Sequence, residues 1–302
     1  MGTPEFAVPC LRGLIDKHEV CGVVTQPDKP VGRGHNLTPP PVKVVALSAG
    51  IPVFQPETLK DGAFAGELQL LCPDMIVVVA YGKLLPKYIL DFPRYGCVNV
   101  HASLLPKYRG AGPIQRCIID GERETGITTM FMAEGLDTGD MLLSSAVTIG
   151  GDETAGELHD RLMLSGAEVL LETIEKIENG TVTRTPQDDS LATYAPMLSK
   201  DTGRIDWSQS AAAIVNLVRG TNPWPAAWTM YGEQVFKVFK ASAHSGEPDT
   251  PGKIVRLDKN GIFVTCKDGN VLIEEIQMTP LKRMRAADFL NGHSLEIGKI
   301  LL

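Results

Sequence analysis

The sequence predicts an α/β protein: a domain on a mostly parallel sheet, followed by a small antiparallel β-barrel domain. Three observations predict it. Short runs rich in β-branched residues, "VCGVVTQ" (20–26), "MIVVVAY" (75–81), "CVNVH" (97–101) and "ITTMFMA" (127–133), alternate with helix-like stretches. Strands connected through helices form parallel sheets covered on both faces. A long helical pattern over 154–178 closes this region, and beyond residue 206 the pattern changes to strand-like runs separated by turn signals.

In the long helix, Thr154 and Glu157 have capping-box spacing. Leu158, Leu162, Leu170, Ile174 and Ile177 form an apolar stripe, and Asn179-Gly180 is a stop signal. Residues 181–206 hold no sustained periodicity and read as a connector. A short helix near 208–219 and the turn "TNPWP" come next, then strand-like runs near 226–231, 234–242, 252–258, 261–266 and 269–277, punctuated by "YGE", "DKNG" and "KDGN". Their number and spacing predict the barrel. The expected domains are therefore residues 1–185 and 207–302, with 186–206 as a linker.

Composition narrows the function classes. The 302 residues are 43% apolar, enough for ordinary cores. No apolar run approaches the ~18 residues of a membrane-spanning helix, and no secretory leader pattern is present, so a soluble, cytoplasmic protein is expected. The six cysteines are scattered without the short spacings of metal sites or the density of disulfide frameworks, so reduced thiols and no metal are expected. The net charge of −7 is uneven: residues 207–302 carry 11 basic against 9 acidic side chains, leaving the acidic excess in residues 1–206. Local basic patches are compatible with that balance.

The candidate site lies in "VNVHASLLPKYRGAGP" (98–113). In an extended strand Asn99 and His101 project from one face, at the strand's carboxyl end, where parallel sheets bind ligands. The turn "GLDTGD" (135–140) can bring Asp137 to the same edge. An amide donor, an imidazole and a carboxylate suit acyl transfer: Asn stabilises an oxyanion, His donates or shuttles a proton, and Asp holds the imidazole or takes a proton through water. Ser103 is the nearest hydroxyl but lacks a nucleophile-elbow context, which favours direct attack by a substrate amine. Residue types and spacing alone also fit a satisfied structural cluster, so they leave function open.

The Asn99/His101 pair, the "SLLP" after it and "GLDTGD" together resemble the signature of the formyltetrahydrofolate-dependent formyltransferases. The resemblance extends over nearly the whole chain through "MGTPEFAVP", "TQPDKPVGRG", "VVVAYGKLLP", "RGAGPIQRCIIDG", "ETGITTMFM", "LSKDTGRIDW" and "NPWPAAW". It implies a Rossmann-like catalytic domain and an appended OB-like domain. It further implies formyl transfer from 10-formyltetrahydrofolate to the α-amino group of methionine on initiator tRNA. Asn99 and His101 would stabilise the oxyanion, and Asp137 would orient His101 and relay the amine proton through water. Ser103, Leu104, Leu105 and Pro106 would belong to the folate site, and Tyr81, Gly82, Lys83, Leu84 and Leu85 would line the pterin pocket. The "GRG" at 32–34 lacks dinucleotide or phosphate-loop spacing.

Two features bear on the acceptor. The segment "TQPDKPVGRGHNLTPPPVK" (25–43) carries Lys29, Arg33 and Lys43 against Asp28. Read by charge alone it is a solvated loop; the resemblance makes it a tRNA-binding loop with Arg33 in the matching position. In the second domain Lys237 and Lys240 alternate with apolar residues, and Lys253, Arg256, Lys282, Arg283 and Arg285 add cations, which the resemblance turns into an electrostatic tRNA cradle. Lys107, Arg109 and Arg116 fit either tRNA phosphates or a solvated rim. The alternatives are a formyltransferase for sugar or nucleotide amines, a formyltetrahydrofolate hydrolase and a non-catalytic RNA-binding module. A monomer is expected. One departure stands out: the family ordinarily places a short apolar strand ahead of the segment matching "MGTPEFAVP", and without it neighbouring strands expose backbone groups.

Overall fold

The computed structural model describes residues 1–31, 36–60, 62–247 and 249–302. They form two compact units, one of residues 1–113, 124–148 and 159–195, the other of residues 114–123, 149–158 and 196–302. In chain order the first elements are α1 (Val8–Lys17), β1 (Val23–Val24), β2 (Lys29–Val31), β3 (Asn36–Thr38), α2 (Pro41–Ser48), β4 (Val53–Phe54) and α3 (Ala65–Leu71). Then come β5 (Ile76–Val79), α4 (Lys87–Leu90), β6 (Cys97–His101), α5 (Pro113–Ile119), β7 (Glu124–Phe131), β8 (Met141–Thr148) and α6 (Ala155–Glu178).

In the first unit β1 pairs with β4, and β5 with β6, in parallel. The backbone of Met1 and Gly2 lies between these pairs: the Gly2 N–H donates to Val24 O at 3.0 Å and the Val79 N–H donates to Met1 O at 2.9 Å. Two of the neighbouring backbone groups that the expected gap would strand, Val24 O and the Val79 N–H, are satisfied there. Only a glycine fits this approach, because a Cβ on Gly2 would lie 2.9 Å from Val79 O. The far side of the sheet differs from the expectation. β7 runs antiparallel to β6, and β8, which the strand pattern does not reveal, runs antiparallel to β7. An antiparallel neighbour needs only a short return, such as the one joining β7 to β8.

β6 is buried along its whole length, as expected of a central strand with both faces covered. On one face α6 approaches closely: a Cβ on Gly166 would stand 3.3 Å from Val100 and 3.6 Å from Ile127. The hydroxyls of Thr129 and Thr173 hydrogen-bond at 2.7 Å across this layer. The capping box forms as read, with the Thr154 N–H donating to Glu157 Oε2 at 2.9 Å and the Glu157 N–H to Thr154 Oγ1 at 3.3 Å. A second apolar layer gathers Val24, Leu68, Ile76, Val78, Tyr81, Leu85 and Ile89.

The second unit contains α7 (Ala211–Gly220), β9 (Ala227–Tyr231), β10 (Gln234–His244), β11 (Ile254–Asp258), β12 (Gly261–Cys266), β13 (Gly269–Met278), β14 (Met284–Arg285) and α8 (Ala286–Gly292). The sheet is antiparallel in the order β11-β12-β13-β10-β9, with β14 on β13. The barrel expected from the sequence is thus an antiparallel sheet domain, and no ladder joins β11 to β9 among the described residues. Residues 298–302 carry the edge bonds instead. The Ile254 N–H donates to Lys299 O at 2.9 Å and the Leu301 N–H to Gly252 O at 2.8 Å, while the Met230 N–H donates to Leu302 O at 2.8 Å.

Leu301 is buried in the core of this unit with Phe236, Val238, Ile254, Val264 and Ile273. Leu301→Ala is expected to destabilise the unit by about 2–5 kcal/mol, through lost burial and the cavity left behind. Urea unfolding followed by tryptophan fluorescence measures this, since Trp207 shares that core; an unchanged midpoint would contradict the packing.

Candidate active site

Asn99 and His101 stand on one face of β6, only 8% and 6% exposed. His101 Nε2 lies 2.8 Å from the carbonyl oxygen of Tyr108. A carbonyl can only accept, so Nε2 carries the hydrogen and Nδ1 is the nitrogen left to the site. Nδ1 faces Asp137 Oδ2 at 3.6 Å, longer than a direct hydrogen bond; the two attract when Nδ1 also carries a proton. The same Oδ2 accepts the Gly110 N–H at 2.8 Å. The Asn99 carboxamide has no hydrogen-bond partner among the described residues. The fold therefore sets His101 against Asp137 and leaves the Asn99 carboxamide, two residues along the same strand face, uncommitted.

The loop after β6 is built by hydrogen bonds. Thr128, on β7, donates its hydroxyl to Ser103 O at 2.7 Å and accepts the Leu105 N–H at 3.2 Å. The Ser103 hydroxyl is committed to Lys107 O at 2.7 Å, so it is not a poised nucleophile. The Tyr108 N–H donates to Thr193 Oγ1 at 2.8 Å, holding the carbonyl that orients His101. Leu105 is buried; Leu104 lies beside Gly126, and Pro106 is half-buried. Gly110 must be glycine: its φ is +116°, and a Cβ would sit 2.7 Å from Ala195 O.

In the segment from Tyr81 to Leu85 the residues divide. Tyr81 and Leu85 belong to the core, whereas Leu84 is 61% exposed at the surface. Gln26 Nε2 donates to Tyr81 O at 2.9 Å, and a Cβ on Gly82 would collide with that amide. Lys83 Nζ donates to the carbonyls of Pro56 and Glu57 at 2.9 and 2.7 Å. Its ammonium therefore fastens two loops.

Of the cations read as tRNA contacts, Arg33 lies outside the described residues. Lys29 donates to Gln26 Oε1 at 2.9 Å. Lys43 is tied to both oxygens of Asp28 at 2.8 and 2.9 Å and to Gln55 Oε1 at 2.7 Å. Hydrogen bonds from Lys43 and Gln55 hold the Asp28 carboxyl below the usual carboxylate range. Lys240 pairs with Glu274 at 3.2 Å. Lys237 is placed between Trp228 and Gln277 across the sheet and has no acidic partner among the described residues. No cluster of three potential metal ligands occurs among the described residues, and no described helix is long and apolar enough to cross a membrane.

Sequence reasoning missed Tyr108, Gly110 and Gln187. Gln187 donates to the backbone carbonyls of Asp137 and Gly139, both at 2.8 Å. The glycines of "RGAGP" signal a tight loop, but nothing in the aperiodic connector marks Gln187.

A central strand carries an amide and an imidazole beside a carboxylate, and the hydroxyl of Ser103 is tied to a backbone carbonyl; this set of groups suits group-transfer chemistry. The chain belongs to the formyl transferase family: the model described as "Formyl transferase" matches residues 2–174, and that described as "Formyl transferase, C-terminal domain" matches residues 197–294. The methionyl-tRNA formyltransferase of Alkaliphilus oremlandii is 58% identical, with 100% of this chain and 98% of that protein covered. The methionyl-tRNA formyltransferase of Geobacter metallireducens is 53% identical, with 99% and 96% covered. Among solved structures, WlaRD, a sugar 3N-formyl transferase crystallised in the presence of dTDP and 5-N-formyl-THF, aligns with a TM-score of 0.68 at 17% identity, covering 93% of this chain and 97% of that one. HypX from Aquifex aeolicus in complex with tetrahydrofolic acid aligns with a TM-score of 0.60 at 17% identity, covering 92% of this chain and 50% of that one. These structures share the fold.

Proposed function

We propose that this protein transfers the formyl group of 10-formyltetrahydrofolate to the α-amino group of methionine on initiator tRNA. The observation that carries the reading is the uncommitted Asn99 amide beside the His101–Asp137 pair, in a chain 58% identical end to end to a methionyl-tRNA formyltransferase. The neutral amine attacks the formyl carbon, a C–N bond forms, and the carbonyl oxygen becomes an oxyanion. Asn99 donates to that oxygen, and His101 stabilises it in the state in which Nδ1 also carries a proton. Asp137 orients the imidazole and takes the amine's proton through water. Collapse of the intermediate breaks the bond to folate, whose nitrogen leaves with a proton.

The "SLLP" turn and the Tyr81–Leu85 segment would receive the folate, with Leu84 exposed for contact and Lys83 bracing the loop. Residues 1–185 would be the catalytic domain, 186–206 a linker and 207–302 an OB-like tRNA-binding domain in a cytoplasmic monomer. The edge bonds made by residues 298–302 support the OB-like reading, because they link the outer strands β9 and β11 to one segment. Lys29, Arg33, Lys43, Lys237 and Lys240 are the proposed tRNA contacts; Lys43 acts partly by bracing Asp28.

The test compares formylation of charged initiator tRNA with formylation of sugar amines, and with formate release in the absence of an acceptor. Preferential use of the charged tRNA is the expected result. Preference for a sugar amine, or release of formate alone, would give the chain a different substrate. Arg33→Ala is expected to weaken use of tRNA and to reduce the salt dependence of binding by about one unit in slope, leaving folate affinity unchanged. Steady-state kinetics at several salt concentrations measure both, and an unaltered slope removes Arg33 from the interface.

A further inference from the structure

We propose that Gln187, clamped by Arg109, is the positioning residue that aims Asp137 at His101; this rests on the role given to Asp137 above. Asp137 occupies the left-handed region, with φ +52°, a backbone state that Asp enters more readily than most non-glycine residues but that still costs free energy unless its polar groups are held. The Gln187 carboxamide supplies that hold. Nε2 donates to Asp137 O and Gly139 O, both at 2.8 Å. Oε1 accepts from Arg109 Nε at 3.0 Å and from Arg109 Nη2 at 2.9 Å. Arg109 Nη2 also reaches Asp189 Oδ1 at 2.7 Å.

The chemistry permits one arrangement. A guanidinium has only donors and the two carbonyls only acceptors, so the amide cannot flip and a carboxylate cannot replace it. The carboxylate of Asp137 is fixed from the same place, because its Oδ2 accepts the N–H of Gly110, next to Arg109. Both ends of Asp137 are thus referred to the dipeptide 109–110, and the result is the 3.6 Å approach to His101. Anchoring the connector is not the reason for Gln187. That segment is already tied by the Arg109 N–H to Thr193 O at 2.9 Å, the Ala195 N–H to Arg109 O at 2.7 Å and the Gly112 N–H to Ala195 O at 3.1 Å.

The test uses the full chain carrying Gln187→Ala, Gln187→Glu, Asp137→Asn, and Gln187→Ala with Asp137→Asn, assayed with charged initiator tRNA and 10-formyltetrahydrofolate. Gln187→Ala is expected to lower kcat on the order of a hundredfold, as small misplacements of catalytic groups do, with KM for both substrates near the wild-type value. Gln187→Glu loses as much, because it retains the Arg109 contact but has no N–H for the two carbonyls. In the Asp137→Asn background, Gln187→Ala lowers kcat by less than about twofold, since its effect passes through Asp137. Thermal melts of all variants fix an assay temperature at which each is folded. An unchanged kcat in either single Gln187 variant overturns the proposal, as does an equal loss in both backgrounds. Full activity of Asp137→Asn overturns instead the role of Asp137 itself.

Discussion

Asn99→Ala is expected to lower formylation turnover by about a hundred- to a thousandfold, the usual cost of removing one preorganised oxyanion donor. The loss should appear in kcat, with the circular-dichroism spectrum and melting temperature near those of the wild type. The reason is local. The Asn99 carboxamide has no partner among the described residues, and its strand is held by backbone ladders to β5 and β7. Truncation therefore breaks no side-chain hydrogen bond of the fold while removing the donor from the oxyanion. Turnover within a few-fold of wild type would take Asn99 out of the mechanism.

Asp137→Asn is expected to cost about a hundred- to ten-thousandfold in turnover, the range for loss of a positioned acid–base group. The carboxylate accepts the Gly110 N–H at 2.8 Å and faces His101 Nδ1 at 3.6 Å through one oxygen. An amide turned to satisfy Gly110 with its oxygen keeps the shape but lacks the negative charge beside the imidazole and cannot take the amine's proton. Raising the pH should not restore the variant, because the amide does not titrate in the range where the protein is folded. Single-turnover rates across pH test this; recovery at high pH would assign the proton to another base.

The parts of this site visible in the sequence were those governed by local rules. Alternation along "VNVH" placed Asn99 and His101 on one face, and that holds in β6. The glycines of "GLDTGD" announced a turn able to present Asp137, and its left-handed φ of +52° agrees. What the sequence concealed depends on distant partners. Lys43 reads as a free cation, yet Asp28, fifteen positions earlier, captures it. Lys83 reads as part of a ligand pocket, but its ammonium is committed to two backbone carbonyls. The direction of β7 was hidden for the same reason: strand composition reports burial, whereas orientation follows from the path of the connecting chain. Gln187 acts on a residue fifty positions away, and no periodicity marks it.

The bond from His101 to the Tyr108 carbonyl has a consequence for proton traffic. A hydrogen on Nε2 held against a carbonyl oxygen at 2.8 Å has nowhere to go, because the acceptor cannot supply another in exchange. The ring therefore communicates with the reaction through Nδ1 alone, on the side of Asp137. A proton that arrives there must depart from the same nitrogen. His101 is consequently a reversible store with a single door, and it cannot pass protons through itself from one side of the strand to the other. In the proposed reaction, net movement of the amine's proton out of the site would then run along water and the carboxylate.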